Sequence, residues 1–183
     1  PEFRLSARYA FTDNFSVKAG FNSMRQYIHK LSNTVIMSPT DTWKLSDVNI
    51  KPQRGWQAAA GLYLNSPSGI WEYSVEGYYK RMSDYLDYRG GAKLLMNHHI
   101  ETDVINTEGH AYGVELQVKK QVGKLNGWMS YTYSRTFLRQ NDKRIEKPVN
   151  NGDWYPTEYD KPHDFKFVGN YKFTHRYSMS INV

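Results

Sequence analysis

His98, His99, Glu101 and Asp103 put four side chains able to ligate a transition metal into one short polar stretch. Their spacing matches no finger or catalytic zinc pattern, and adjacent histidines on an extended segment point to opposite sides. A solvated loop is the expectation there, and no metal site is assigned. Asp160, His163 and Asp164 offer the residue types of an acid–base set, but no nucleophile or oxyanion donor stands beside them in the sequence. They are expected to dock a loop at the mouth of a strand. No catalytic residue and no cofactor is assigned, so the chemistry to look for is binding.

Two sets of residues are candidates for it. Trp43, Tyr85, Tyr88, Trp154, Tyr155 and Tyr159 fall in long polar connections, where aromatic faces can stack on sugar rings or on the apolar side of a ligand. Arg8, Glu72, Glu76, Lys80, Glu115 and Lys166 share the polar side of alternating segments and are expected to face an interior space holding water, protein or solute.

The elements that would position both sets are strands. In Phe165 to Phe173, the residues Phe165, Phe167, Gly169, Tyr171 and Phe173 occupy one face and Lys166, Val168, Asn170 and Lys172 the other, because side chains alternate with period two. Seven further rows repeat the pattern: Phe3 to Phe11, Phe15 to Phe21, Trp56 to Leu64, Trp71 to Tyr79, Tyr112 to Val118, Leu125 to Tyr133, and Tyr177 to Val183. No Asp, Glu, Lys or Arg stands on any of these apolar rows. A Lys or Arg exposed at mid-bilayer would cost about 2 to 4 kcal/mol.

Connections alternate in length. Thr12-Asp13-Asn14, Asn65 to Gly69, Gln121 to Lys124 and Thr174-His175-Arg176 are tight turns rich in residues that favour local backbone bonds. Between them run long excursions, roughly Leu31 to Arg54, Met82 to Gly109 and Thr136 to Asp164. This order suits a membrane barrel with tight turns on one rim and extended loops on the other. A soluble antiparallel sandwich also alternates, but it has no need of three long loops on one edge.

Composition narrows the classes further. The chain has 183 residues, an aromatic share of 15% and a mean hydropathy of -0.74, and no run approaches the ~18 apolar residues of a membrane helix. A β-barrel remains compatible, since only alternate residues of its strands meet lipid. The net charge of +6 is dispersed rather than gathered into a basic run, and no nucleic-acid partner is expected. There is no cysteine. The chain opens at Pro1 without a signal segment, from which a piece of a longer protein is expected.

Several motifs point in one direction. Trp154-Tyr155-Pro156, Tyr159-Asp160 and His163-Asp164 lead into the strand at Phe165; Gln26-Tyr27-Ile28-His29, Ile50-Lys51-Pro52-Gln53, Tyr78-Tyr79-Lys80-Arg81-Met82, Ala111 to Leu116 and Trp128 to Thr136 precede them in order. Together they resemble the C-terminal part of the barrel of TonB-dependent outer-membrane receptors of Bacteroidetes-type bacteria. The resemblance implies an all-β, antiparallel transmembrane β-barrel, with residues 1–183 supplying roughly eight strands of a barrel of about 22. It implies a nutrient-import receptor in the outer membrane of a Gram-negative bacterium, for a siderophore, oligosaccharide, cobalamin or peptide. Its implied partners are outer-membrane lipid, the remaining strands, a plug domain, the TonB complex and a possible surface lipoprotein. Plug and coupling segment are expected to lie outside this chain. A self-contained small barrel and a soluble sandwich module are the alternatives.

Overall fold

The computed structural model describes residues 2–31, 42–47, 50–88, 104–141, 148–158 and 160–183.

The strands are β1 (Arg4–Ala10), β2 (Phe15–Gln26), β3 (Ile28–Leu31), β4 (Thr42–Leu45), β5 (Gln53–Asn65), β6 (Trp71–Tyr88), β7 (Val104–Lys120), β8 (Leu125–Gln140), β9 (Tyr155–Pro156), β10 (His163–Lys172) and β11 (Ser178–Asn182). One sheet runs in the order β1-β2-β5-β6-β7-β8-β10-β11, with β9 paired to β8, while β3 and β4 form a separate hairpin. Every pairing is antiparallel. The eight expected rows are the eight strands of the main path.

The first and last turns are built alike. Phe11 N–H donates to Phe15 O at 3.0 Å and Phe173 N–H to Tyr177 O at 3.0 Å. Thr12 Oγ1 accepts from the Phe15 amide at 3.0 Å, and Thr174 Oγ1 from the Tyr177 amide at 3.1 Å. Each threonine thus satisfies an amide that a tight turn leaves without a ladder partner.

Register between these two turns gives the slant of the wall. Paired residues lead from Phe11 through Phe15, Leu64, Tyr73, Val118 and Met129 to Phe167, six residues short of Phe173. Six interstrand steps of about 4.8 Å against six residues of about 3.3 Å require a tilt of about 35° if the turns share one level. That is the slant of a barrel wall.

The two faces differ in chemistry. On the apolar side Val75, Leu116 and Met129 keep 41%, 45% and 42% of their surface exposed, and no second sheet or helix covers them among the described residues. The buried apolar residues, Ile50, Val104, Ile105, Ala111 and Leu138, gather instead toward the loop ends of the strands. A sandwich would bury the rows. This sheet presents them outward.

The outward rows on β2, β5, β6, β7 and β8 also stop after the same length. Starting from the turn end, five uncharged residues are followed by a charged sixth: Arg25 after Phe15 to Ser23, Arg54 after Leu64 to Trp56, Arg81 after Trp71 to Tyr79, Glu108 after Val118 to His110, and Arg135 after Leu125 to Tyr133. Ten residues at that tilt rise about 27 Å, close to the ~25 Å apolar band of an outer-membrane barrel. Aromatic rings mark both limits. Toward the loops, Trp56 stacks with Phe21 at 6.1 Å and contacts Tyr79 at 5.5 Å; toward the turns, Phe11 meets Phe15 at 5.5 Å and Trp71 meets Tyr73 at 6.3 Å.

Strands outrun the sequence expectation at the loop end. β6 continues to Tyr88, β7 begins at Val104 and β8 reaches Gln140, where long loops were expected from Met82, up to Gly109 and from Thr136. Above the charged belt the alternation of apolar and polar side chains fades, and in β6 a register shift between Met82 and Tyr85, with Asp84 at φ 57°, breaks the period. The ladder persists where its hydrophobic signature does not.

Candidate functional site

All six charged candidates lie on the face opposite the exposed apolar rows, because register carries one parity across the sheet. Arg8, Lys18, Gly61, Glu76, Glu115, Thr132 and Asp164 form one continuous cross-strand row. Cations stand at its β1 end and carboxylates from β6 onward. The side chains hold one another: Arg8 donates to Ser16 Oγ at 3.2 Å, Tyr63 Oη donates to Glu76 at 2.7 Å, and Lys166 pairs with Asp164 at 2.6 Å. Glu72 pairs with Lys119 at 3.4 Å and also accepts from Gln121 Nε2.

Two hollows open on this face. One of about 430 Å³ lies toward the turns and is lined by Arg8, Lys18, Tyr63, Glu72 and Glu76. The other, about 420 Å³, lies toward the loops between Gln57, Tyr78, Lys80, Met82, Tyr85 and Leu138. The second offers apolar walls with one ammonium, a combination suited to holding an amphipathic solute.

At the loop end a buried polar clasp fixes the segment from 148 to 158. The Tyr155 phenol donates to Asp87 Oδ2 at 2.9 Å, Gln140 Nε2 donates to the same oxygen at 3.2 Å, and Gln140 Oε1 accepts from the Val149 amide at 2.9 Å. Burial first, then the Asp87 charge, pushes the Tyr155 phenol well above its usual range. Trp154 meets His110 edge-on at 4.3 Å, with the Arg139 guanidinium over its ring at 4.8 Å. β9 pairs with Phe137 and Leu138, beyond the reach of β10, which ends its pairing at Tyr133.

The other aromatic candidates are dispersed. Trp43 is exposed on the β3–β4 hairpin, Tyr85 lines the second hollow, and Tyr88 pairs through its backbone with Val104. Tyr159 lies outside the described residues, as do His98, His99, Glu101 and Asp103. In the hairpin, His29 Nε2 sits 2.9 Å from Ser46 Oγ. Burial lowers its pKa, and its Nδ1 has no partner among the described residues.

Asp160, His163 and Asp164 do not converge. Asp160 accepts from Arg135 Nε at 2.9 Å and from the Thr136 amide at 2.8 Å, and His163 Nδ1 is 2.7 Å from the Tyr131 hydroxyl. Asp164 turns to Lys166 on the polar face. The first two tie the loop to β8. Asp87 and Gln140 are the loop-end residues that sequence reading passed over. The only trace of Asp87 is its two-residue spacing from Tyr85, which a reader of hydrophobic rows discounts.

A family model described as TonB dependent receptor-like, beta-barrel, matches residues 3–181. No curated protein sequence matches the chain.

Proposed function

Since the chain belongs to the TonB-dependent receptor β-barrel family, an outer-membrane family of Gram-negative bacteria and one of transport receptors rather than enzymes, we propose that it builds part of the wall and outer mouth of an active importer. The observation that carries this reading is the pairing of an uncovered apolar face, about 27 Å tall between charged and aromatic limits, with a mixed-charge opposite face. The first faces lipid; Arg8, Glu72, Glu76, Lys80, Glu115 and Lys166 face the lumen. The long excursions lie outside the cell and the tight turns in the periplasm.

In this reading residues 1–183 are a fragment of the barrel, from its C-terminal part and of the Bacteroidetes type. β1 and β11 are the edges of the described sheet, and an unpaired backbone group in hydrocarbon costs several kcal/mol. Further strands cover those edges, and a plug fills the lumen against the row from Arg8 to Asp164. The TonB complex supplies energy through a segment elsewhere in the receptor, and a surface lipoprotein is a possible partner at the mouth. The cargo is a scarce nutrient of the siderophore, oligosaccharide, cobalamin or peptide classes. Trp43, Tyr85, Tyr88, Trp154, Tyr155 and Tyr159 are the aromatic contacts proposed for it.

The test is uptake. A strain lacking the full-length receptor should fail to grow on one of these nutrient classes as sole source, and the receptor gene should restore growth only when the TonB system is intact. Restoration in a strain without TonB would overturn active import and leave a passive barrel.

A further inference from the structure

Lys80 lines the hollow of about 420 Å³ toward the loops, and its cross-strand partners, Gln57 on β5 and Ala111 on β7, carry no charge. The rows on either side of it pass through Tyr78 and Gly113 and through Met82 and Gly109. From β2 to β8 these three rows contain no Asp or Glu, and Lys80 is their one charged residue. Carboxylates of the loop end are engaged elsewhere: Asp87 accepts from Tyr155 and Gln140, and Asp160 from Arg135 and the Thr136 amide. Farther along the same face Glu72 pairs with Lys119 and Asp164 with Lys166.

Glycines shape the floor of the hollow. A Cβ on Gly113 would lie 2.9 Å from the Tyr78 ring, and one on Gly109 would lie 2.9 Å from the Met82 methyl, so both side chains lie across β7 because those positions are bare. Met82, Ala111 and Leu138 supply apolar walls. Gln57 and Thr157 supply hydrogen-bonding groups, and the buried Thr157 hydroxyl has no partner among the described residues. An ammonium among apolar walls suits a ligand with one anionic end, held by a charge-assisted hydrogen bond. A neutral sugar would leave hydroxyls against Met82, Ala111 and Leu138 without partners, and a cation would be repelled by Lys80. We infer that this hollow binds an apolar group bearing one carboxylate, as at the C-terminal residue of a peptide or in a free branched-chain acid, with Lys80 on the carboxylate. The site rests on the import reading above, of which it specifies the cargo chemistry.

Titration calorimetry on the full-length receptor in mild detergent tests this with the tripeptide Ala-Ala-Leu and with 4-methylpentanoate, each against its own amide, and with maltotriose as a neutral sugar. The wild type should bind one or both acids about tenfold or more tighter than the matching amide. Lys80→Met should lose that preference and Lys80→Arg should keep it. Binding of the tripeptide alone assigns a peptide end, whereas binding of 4-methylpentanoate as tightly as the tripeptide, or tighter, assigns a free acid. No acid preference in the wild type, a preference that survives in Lys80→Met, or tighter binding of maltotriose would overturn the site. Heat-modifiable gel migration reports folding, and Lys80→Gln carries the comparison if Lys80→Met does not fold. Binding needs no TonB, so an acid-selective receptor that fails the TonB-dependent growth test would refute import alone, and TonB-dependent growth without acid preference would refute the hollow alone.

Discussion

The hydroxyl of Tyr155 reaches across 68 residues of sequence to donate to the Asp87 carboxylate at 2.9 Å. That bond joins the returning arm of the third long excursion to the extension of β6. It braces the loop end of the sheet, since Gln140 and the Val149 amide complete the same network.

Tyr155→Phe removes the donor and leaves a half-buried carboxylate with less support, at a local cost of about 1.5 to 3 kcal/mol. Hydrogen exchange at the Leu138 and Tyr155 amides should quicken, while the membrane-level ladder stays protected. The phenol's raised pKa means the folded state holds its proton more tightly than the unfolded chain. The stabilisation is full below pH 10 and declines as pH rises above that value, so alkaline titration of the wild type should release the arm.

His29 gives the opposite sign. Its pKa is lowered by burial, so the unfolded hairpin binds a proton more readily than the folded one. The contribution is present above pH 6.5 and is lost as pH falls below it. The protection factor of the Ser46 amide, which donates to Tyr27 O at 2.8 Å, should fall between pH 6.5 and 5 in the wild type. It should be flat over that range in His29→Gln.

Asp160 is the single acceptor joining the Arg135 guanidinium and the Thr136 amide to the loop before β10, and its side chain is only 7% exposed. Asp160→Ala leaves an amide and a half-buried cation without that partner, a loss of about 2 to 4 kcal/mol. The midpoint of heat-modifiable migration should drop, and Asp160→Asn should recover part of the difference because its carbonyl can still accept.

Gly127 sits at φ 155° opposite Gly169, and a Cβ there would collide with Val168 O. Gly127→Ala must push β8 and β10 apart. Folded receptor recovered from membranes should decrease several-fold, whereas Gly77→Ala, where the nearest atom is 3.8 Å from the added carbon, should assemble normally.

Much of this wall was readable from alternation alone, and the reasons for the remainder are physical. Rows such as Trp71 to Tyr79 show a clean period because one side meets an apolar medium and the other a polar one. Beyond Arg81 both sides are polar or mixed, and the bulge at Asp84 shifts the parity, so the last turns of β6 and the start of β7 read as loop. Trp154 and Tyr155 illustrate the limit at the site. Their types suggested ligand contact, but sequence carries no sign that one would stack beside Arg139 and the other close on Asp87. The charged row was legible by parity, whereas its segregation into a cationic end and an anionic end depends on cross-strand register and emerges only from the fold.

The central claim is that the uncovered rows meet lipid, and spin labels read it most directly. Nitroxides placed singly at Val75, Leu116 and Met129, and at their neighbours Ser74, Gln117 and Ser130, would be compared in the reconstituted full-length receptor for collision with oxygen and with a water-soluble nickel chelate. The account predicts high oxygen and low nickel access at the first three and lower oxygen access at the second three, alternating residue by residue. Low access to both reagents at Val75, Leu116 and Met129 would place those side chains inside protein and contradict it.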